Sequence, residues 1–187
     1  MTRLRKLALG QLADPRGSQI LELAVCLPLL TMFMIGVIDF SGALSLKHRL
    51  ALAVAQAARL GSTQPYADVT NADPASTEAI RAAVDSYLVS AKVNDCGLAT
   101  AAASPPVTLV WTYTGNTNCP ANLTLTIDRG MTFQTSGTPA VTVQGIHVSI
   151  SYPYAWRYGR VVQLLMNGSG WQGVTNINAD AVAQNLD

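Results

Sequence analysis

Charged residues are scarce in this sequence. They make up 12% of its 187 positions, about half the ordinary share, and the mean hydropathy is +0.25. Such a composition suits a membrane or envelope protein. It does not suit a nucleic-acid partner, because the net charge is +1 and no Lys/Arg cluster downstream builds a basic groove. Two histidines and three cysteines without CxxC spacing argue against a zinc site. There is no Gly-rich phosphate loop, no GxSxG, no HExxH and no cluster of carboxylates. The chain therefore reads as non-enzymatic, with no cofactor. His48, between Lys47 and Arg49, reads as an interface residue, and His147 as a sheet-surface or core histidine.

What the sequence does have is one long apolar run. From Leu23 to Ile38 no residue is charged, and between Ser18 and Ala43 only Glu22 and Asp39 are. A helix needs about 20 predominantly apolar residues to cross a bilayer core, so this segment is long enough to span. Arg3, Arg5, Lys6 and Arg16 precede it against a single acid, Asp14. By the positive-inside rule the N-terminus stays in the cytoplasm and the C-terminal part lies outside. Glu22 would then lie near the cytoplasmic interface and Asp39 near the outer one.

Three readings of this run compete. A Sec signal peptide would use Ser41–Ala43 as its small-residue cleavage site, but the n-region and the apolar stretch are both long for one. A plain single-pass anchor explains the length but not the carboxylate at Glu22. A class III, type IV prepilin-like signal explains both. The peptidase cuts on the cytoplasmic side after Gly17, Ser18 becomes the new N-terminus, and Glu22 becomes the fifth residue of the mature chain. Its carboxylate, one helical turn on, can neutralise the amine of Ser18 or that of an adjacent subunit. Loss of residues 1–17 removes four basic residues and one acid, leaving eight against ten and a formal charge of −2.

The segment "RGSQILELAVCLPLLTMFMIGVIDFSGALSLKHRLALAVAQAARLGS" resembles the N-terminal region of TadE-like proteins, pseudopilins of the Tad (tight adherence, Flp-type) pilus machinery. The resemblance is carried by Arg16-Gly17, Glu22 with Ala24, Leu27-Pro28-Leu29, Gly36, Asp39-Phe40 and the Ala-rich "AVAQAARLGS". A later "VSISYPYAW" is similar to the strand ending in Tyr-Pro of such proteins. Two departures stand out: Asp39 where the family commonly has glutamate, and Ser18 where many type IV pilins have phenylalanine. The resemblance implies a non-enzymatic subunit of the bacterial inner membrane. Its partners would be a prepilin peptidase, other pilins or pseudopilins, and the pilus assembly platform. The rival reading is an uncleaved, membrane-anchored periplasmic scaffold or binding protein.

Beyond the membrane run, helical character continues. No Gly or Pro occurs from Ser45 to Leu60, and Gly61 with Pro65 reads as the stop. One helix from Ser18 to Leu60 would be about 65 Å long, with Pro28 able to kink it. Ala51, Ala55, Ala58 and Ser62 form a small-residue stripe, either covered by the chain's own domain or open to a neighbouring helix. A second helix is expected in "NADPASTEAIRAAVDSYLVSAK", with Asp73 as N-cap, Pro74 at its first position, and Ile80, Val84, Tyr87 and Leu88 on its apolar face. The period then changes to that of strands at 107–113, 123–128, 131–134 and 140–152, with a hairpin turn at Asp128-Arg129-Gly130 and an uncertain element after the aromatic-rich loop.

The fold class expected is α+β, a long membrane-spanning helix followed by a small domain with one further helix and an antiparallel sheet. The divisions are a leader at 1–17, a transmembrane part at 18–44, an exported helical extension at 45–64 and an extracytoplasmic domain at 65–187. Cys26 should pack as a small hydrophobe, while Cys96 and Cys119, in the exported part, are expected to form a disulfide. Asn122 and Asn167 head chance glycosylation sequons. Tyr152, Tyr154, Trp156 and Tyr158 form either a partner-binding surface or the edge of the core.

Overall fold

A computed structural model describes residues 15–104, 107–134, 140–158 and 174–185. The proposed leader up to residue 14, the Asn167 sequon and most of the stretch after the aromatic loop lie outside the described residues. The fold is α+β. Helix α1 runs Pro15–Gly61 and helix α2 Ala75–Ser90. Strands β1 (Val110–Gly115), β2 (Leu123–Gln134), β3 (Thr142–Ala155) and β4 (Val174–Gln184) form one antiparallel sheet in the order β1-β2-β3-β4. The chain divides into two compact units, Met1–Ser41 with Arg157–Trp171, and Gly42–Trp156 with Gln172–Asp187.

The core belongs to the second unit, and the strand alternation explains it. Trp111 and Tyr113 on β1, Leu123, Leu125 and Ile127 on β2, and Ile146, Val148 and Ile150 on β3 alternate with polar residues and are all buried. They pack with Leu50, Ala53, Val54, Ala57 and Ala58 of α1 and with Ile80, Val84 and Leu88 of α2 in one hydrophobic cluster. Each large side chain so removed from water contributes about 1.5–3 kcal/mol. The buried polar ends find partners. Trp111 Nε1 donates to the Ala72 carbonyl at 3.0 Å, and the Tyr113 hydroxyl donates to Thr77 Oγ1 at 3.0 Å.

Three local expectations are corrected. Asp73 is not the N-cap of α2; Pro74 holds that position and makes no side-chain cap bond. The first-turn amide is served instead by Asp68, whose carboxylate accepts from the Ser76 backbone N–H and the Ser76 hydroxyl, both at 2.8 Å. An acid from the preceding loop thus does what a capping side chain does. Strand β1 begins at Val110 rather than Val107, because Thr108 and Leu109 take positive φ (55° and 64°) in a reversal bridged by Val107 and Val110. And Asp128-Arg129-Gly130 is no hairpin turn.

At that third position the structure has one continuous strand. The pairing of β2 with β3 shifts between Asp128 and Met131, a bulge that leaves both strands running on. Arg129 is the cause: its side chain points inward and is fully buried. Its guanidinium donates to the carbonyls of Gln64 (3.0 Å) and Pro65 (3.2 Å) and lies 5.5 Å from the Tyr66 ring centroid. A charged side chain with this reach holds the turn that follows α1, and the strand bulges to aim it there.

Strand β4 is the element the sequence hid. Its inward positions are Ile177, Ala179, Ala181 and Ala183, and its outward ones include Asn176, Asn178 and Asp180. Alanine gives little hydrophobic contrast, and Asn and Asp are depleted in strands, so the alternation was too faint to read.

Cys96 and Cys119 are joined in a disulfide with Cα atoms 5.5 Å apart. Two hydrogen bonds run alongside: Thr117 N–H to the Cys96 carbonyl and Asn94 Nδ2 to the Asn118 carbonyl, each 2.8 Å. Gly97, at φ 78°, passes so close to Thr117 that a Cβ would lie 2.6 Å from its hydroxyl. The bridge closes a separation of 23 residues, for which chain entropy gives about 3 kcal/mol. Cys119→Ser should therefore lower the thermal midpoint by roughly 5–10 °C; a midpoint unchanged in calorimetry would show that the hydrogen bonds hold the loop alone.

Burial pushes the Tyr113 hydroxyl up to about 12 and raises that of Tyr152 as well. An unfolded tyrosine titrates near pH 10, so the native state retains these protons longer than the unfolded one. Stability is complete below about pH 10 and falls as the pH rises toward about 12. Urea midpoints followed across that window should decline, and Tyr113→Phe should flatten the decline.

Candidate functional site

The longest feature of the chain is α1, and its faces change character along its length. Gly17 and Ser18, the proposed processing pair, lie in its first turn. Glu22 follows one turn later and is exposed, with no hydrogen bond or ion pair to any described residue. From Ile20 to Leu44 almost every large side chain is open. Ile20, Leu21, Leu23, Val25, Leu27, Leu29, Phe33, Met34, Val37, Ile38 and Phe40 are each more than half exposed. Cys26, a free thiol, is exposed among them. A helix of this length and composition is sufficient to cross a membrane. Water would not tolerate the same surface, since an apolar patch of this extent marks a lipid or protein contact.

Pro28 sits inside α1 without ending it. Nearby, the Thr31 hydroxyl donates to the Leu27 carbonyl at 2.7 Å, a local bond of the kind that accompanies irregular helix backbone.

Asp39 differs from Glu22 in every respect. It is 7% exposed, and its carboxylate accepts from the backbone N–H groups of Arg157 (3.1 Å) and Tyr158 (3.2 Å). The sequence reading left this acid near an aqueous interface; the structure gives it protein partners. The clue was available, because an acid within an apolar helix needs something to bond with.

The small-residue stripe is resolved by the next turns. Leu50, Ala53, Val54, Ala57 and Ala58 are buried, as are Gly61 and Ser62. Ala51 is exposed and Ala55 half-buried, so the inward face is rotated by about one residue from the expected one. Within its unit this stripe meets the chain's own core. The contact is tight: a Cβ on Gly61 would lie 2.4 Å from Ile146 Cδ1 and 3.0 Å from Ile80 Cδ1.

The aromatic cluster splits. Tyr152 is nearly buried, Tyr154 and Trp156 pack edge to face at 5.3 Å, and Trp156 Nε1 donates to Thr175 Oγ1. Tyr158 is 38% exposed. His147 lies on the solvent face of the sheet with Nε2 3.5 Å from Asp180 Oδ2. Thr124, Thr126, Ser149, Ser151 and Asn178 surround the pair in a shallow depression. Nothing there is enclosed or aligned as a nucleophile–base pair requires. Among the described residues no three His, Cys, Asp or Glu side chains gather as metal ligands do. Among the described residues, the group that stands out chemically is the exposed carboxylate of Glu22 on the apolar helix.

The family model for TadE-like proteins matches residues 17–59. The match begins at Gly17, includes Glu22 and Asp39, and stops two residues short of the end of α1. Over this segment, which is under half of the chain, the protein is similar to TadE-like proteins. No curated protein and no solved structure matches the chain.

The packing of α1 predicts an asymmetry between neighbouring alanines. Ala57→Leu should destabilise the second unit by about 1–3 kcal/mol, because the site has no room for added carbons. Ala51→Leu, on the open side, should be near neutral. Equal midpoints in urea denaturation would mean that the inward face has been misplaced.

Proposed function

We propose that the protein is a pseudopilin, a minor subunit in the assembly of a Tad-type pilus. In this reading a prepilin peptidase cuts between Gly17 and Ser18 on the cytoplasmic side of the bacterial inner membrane. The helix from Ser18 stays in the bilayer, and the second unit is presented outside. The observation that carries the reading is Glu22: a carboxylate exposed on an apolar helix, unpartnered among the described residues, five positions after a glycine where the family match begins.

The physics is that of an unsatisfied charge. An acid at the centre of a spanning helix costs about 2.5–3.5 kcal/mol, and less near the interface, so its retention points to a partner that arrives later. Cleavage after Gly17 generates one, the amine at Ser18. When two such helices lie side by side, the amine of one faces the carboxylate of the next, and in a low-dielectric setting the pair holds register between subunits. Other pilins or pseudopilins are the partners this chemistry fits, and the assembly platform is the partner that the likeness to TadE-like proteins implies.

One observation favours the rival, a stably anchored and uncleaved scaffold. Helix α1 already begins at Pro15, so the proposed scissile bond lies within a helical turn that the peptidase must open. Intact mass decides between the two. Protein extracted from the membrane should lack residues 1–17, and retention of Met1 would overturn the pseudopilin reading. Glu22→Ala should leave insertion and cleavage intact while reducing pilus-dependent adherence. Undiminished adherence would show that the carboxylate has no part in assembly.

A further inference from the structure

We propose that Arg157 and Tyr158 form an anchor in the headgroup layer of the outer leaflet, fixed at that depth by Asp39. The proposal rests on the reading of α1 as membrane-spanning and adds to it a second point of contact with lipid.

The depth follows from helix geometry. If Glu22 lies at the inner interface, the seventeen steps to Asp39 advance about 26 Å along α1, close to the roughly 30 Å of a hydrocarbon core. Asp39 then lies just inside the outer boundary, and whatever it binds lies there too. Its carboxylate accepts from the consecutive backbone N–H groups of Arg157 and Tyr158, at 3.1 and 3.2 Å. These three residues belong to the same compact unit, so the level of one sets the level of the others.

With their amides committed to Asp39, the two residues are left with their side chains outward. Arg157 is exposed and Tyr158 is 38% exposed. Phe40, next to Asp39 on the helix, is 57% exposed. A guanidinium and a phenol at one level are residue types the headgroup region favours, and the Phe40 ring beside them suits the acyl chains just below. Tyrosine places an apolar ring toward the acyl chains and a hydroxyl toward water, and arginine pairs bidentately with lipid phosphate. The carboxylate also gains, since two amide donors replace the water it would otherwise need at that depth. The occupant to which these groups commit is a phospholipid bilayer rather than a protein.

The test uses the full-length chain with Cys26→Ser, reconstituted in phosphatidylethanolamine/phosphatidylglycerol vesicles. A nitroxide is attached in turn at Tyr158→Cys, at Val37→Cys within the apolar run, and at Thr114→Cys as the water-exposed reference. Collision with oxygen and with a water-soluble nickel chelate reports depth. The label at 158 should be protected from the chelate several-fold more than the label at 114, and should lie shallower than the label at 37. Protection at 37 with none at 158 would overturn the anchor while leaving the spanning helix in place. Exposure to the chelate at 37 would overturn the spanning reading and the anchor together. Adding Asp39→Leu should release the label at 158 into water, with circular dichroism and the closed disulfide reporting that the second unit remains folded. An unchanged depth would remove Asp39 from its positioning role.

Discussion

The close approach of a helix to a sheet is the constraint on which the second unit depends. Alanines at 53, 57 and 58 and a glycine at 61 bring the backbone of α1 down onto the core residues Ile80 and Ile146. Small side chains there are a condition of packing rather than a sign of weak hydrophobicity. They let the large residues come from the other layers: Trp111, Tyr113 and Leu125 from the sheet, Leu88 from α2. Arg129 completes the arrangement by holding the turn that leaves the helix, and the bulge in β2 exists to deliver it.

The same helix carries two acids on opposite terms. Asp39 is enclosed and doubly bonded to backbone amides of its own chain. Glu22 is exposed and unbonded among the described residues. Desolvation penalises both, so the difference lies in where each finds compensation. One is satisfied on folding, and its work is structural. The other is left for an event that folding does not supply, which is why the functional reading rests on it.

Much of this was legible in the sequence. The apolar run, its continuation to Gly61, the second helix and the antiparallel sheet follow from periodicity and from the absence of helix breakers. The TadE-like resemblance was carried by residues of α1, where the family match also lies. What escaped reading depended on distant contacts. Asp68 caps α2 across eight residues, Arg129 turns inward for carbonyls more than sixty residues away, and Asp39 reaches amides near 157. A local window sees Asp-Arg-Gly and reads a turn, because the partners that keep the strand straight lie outside it. Strand β4 was missed for another reason: three of its inward residues are alanines, which bury well against a close neighbour but signal faintly.

The sheet is a meander, in which every strand pairs with the one before it. No strand must therefore be held in waiting for a later partner, and the sheet can grow in the order in which the chain emerges, the first two hairpins closing short connections and the third a longer one between Ala155 and Val174. The exception is at the other end of the sequence. The inward stripe of α1 emerges before any residue that will cover it, and its cover is complete only with the last strands. During that interval Leu50, Val54 and their neighbours continue the apolar surface of the helix, so a newly made chain presents a longer greasy rod than the finished protein does.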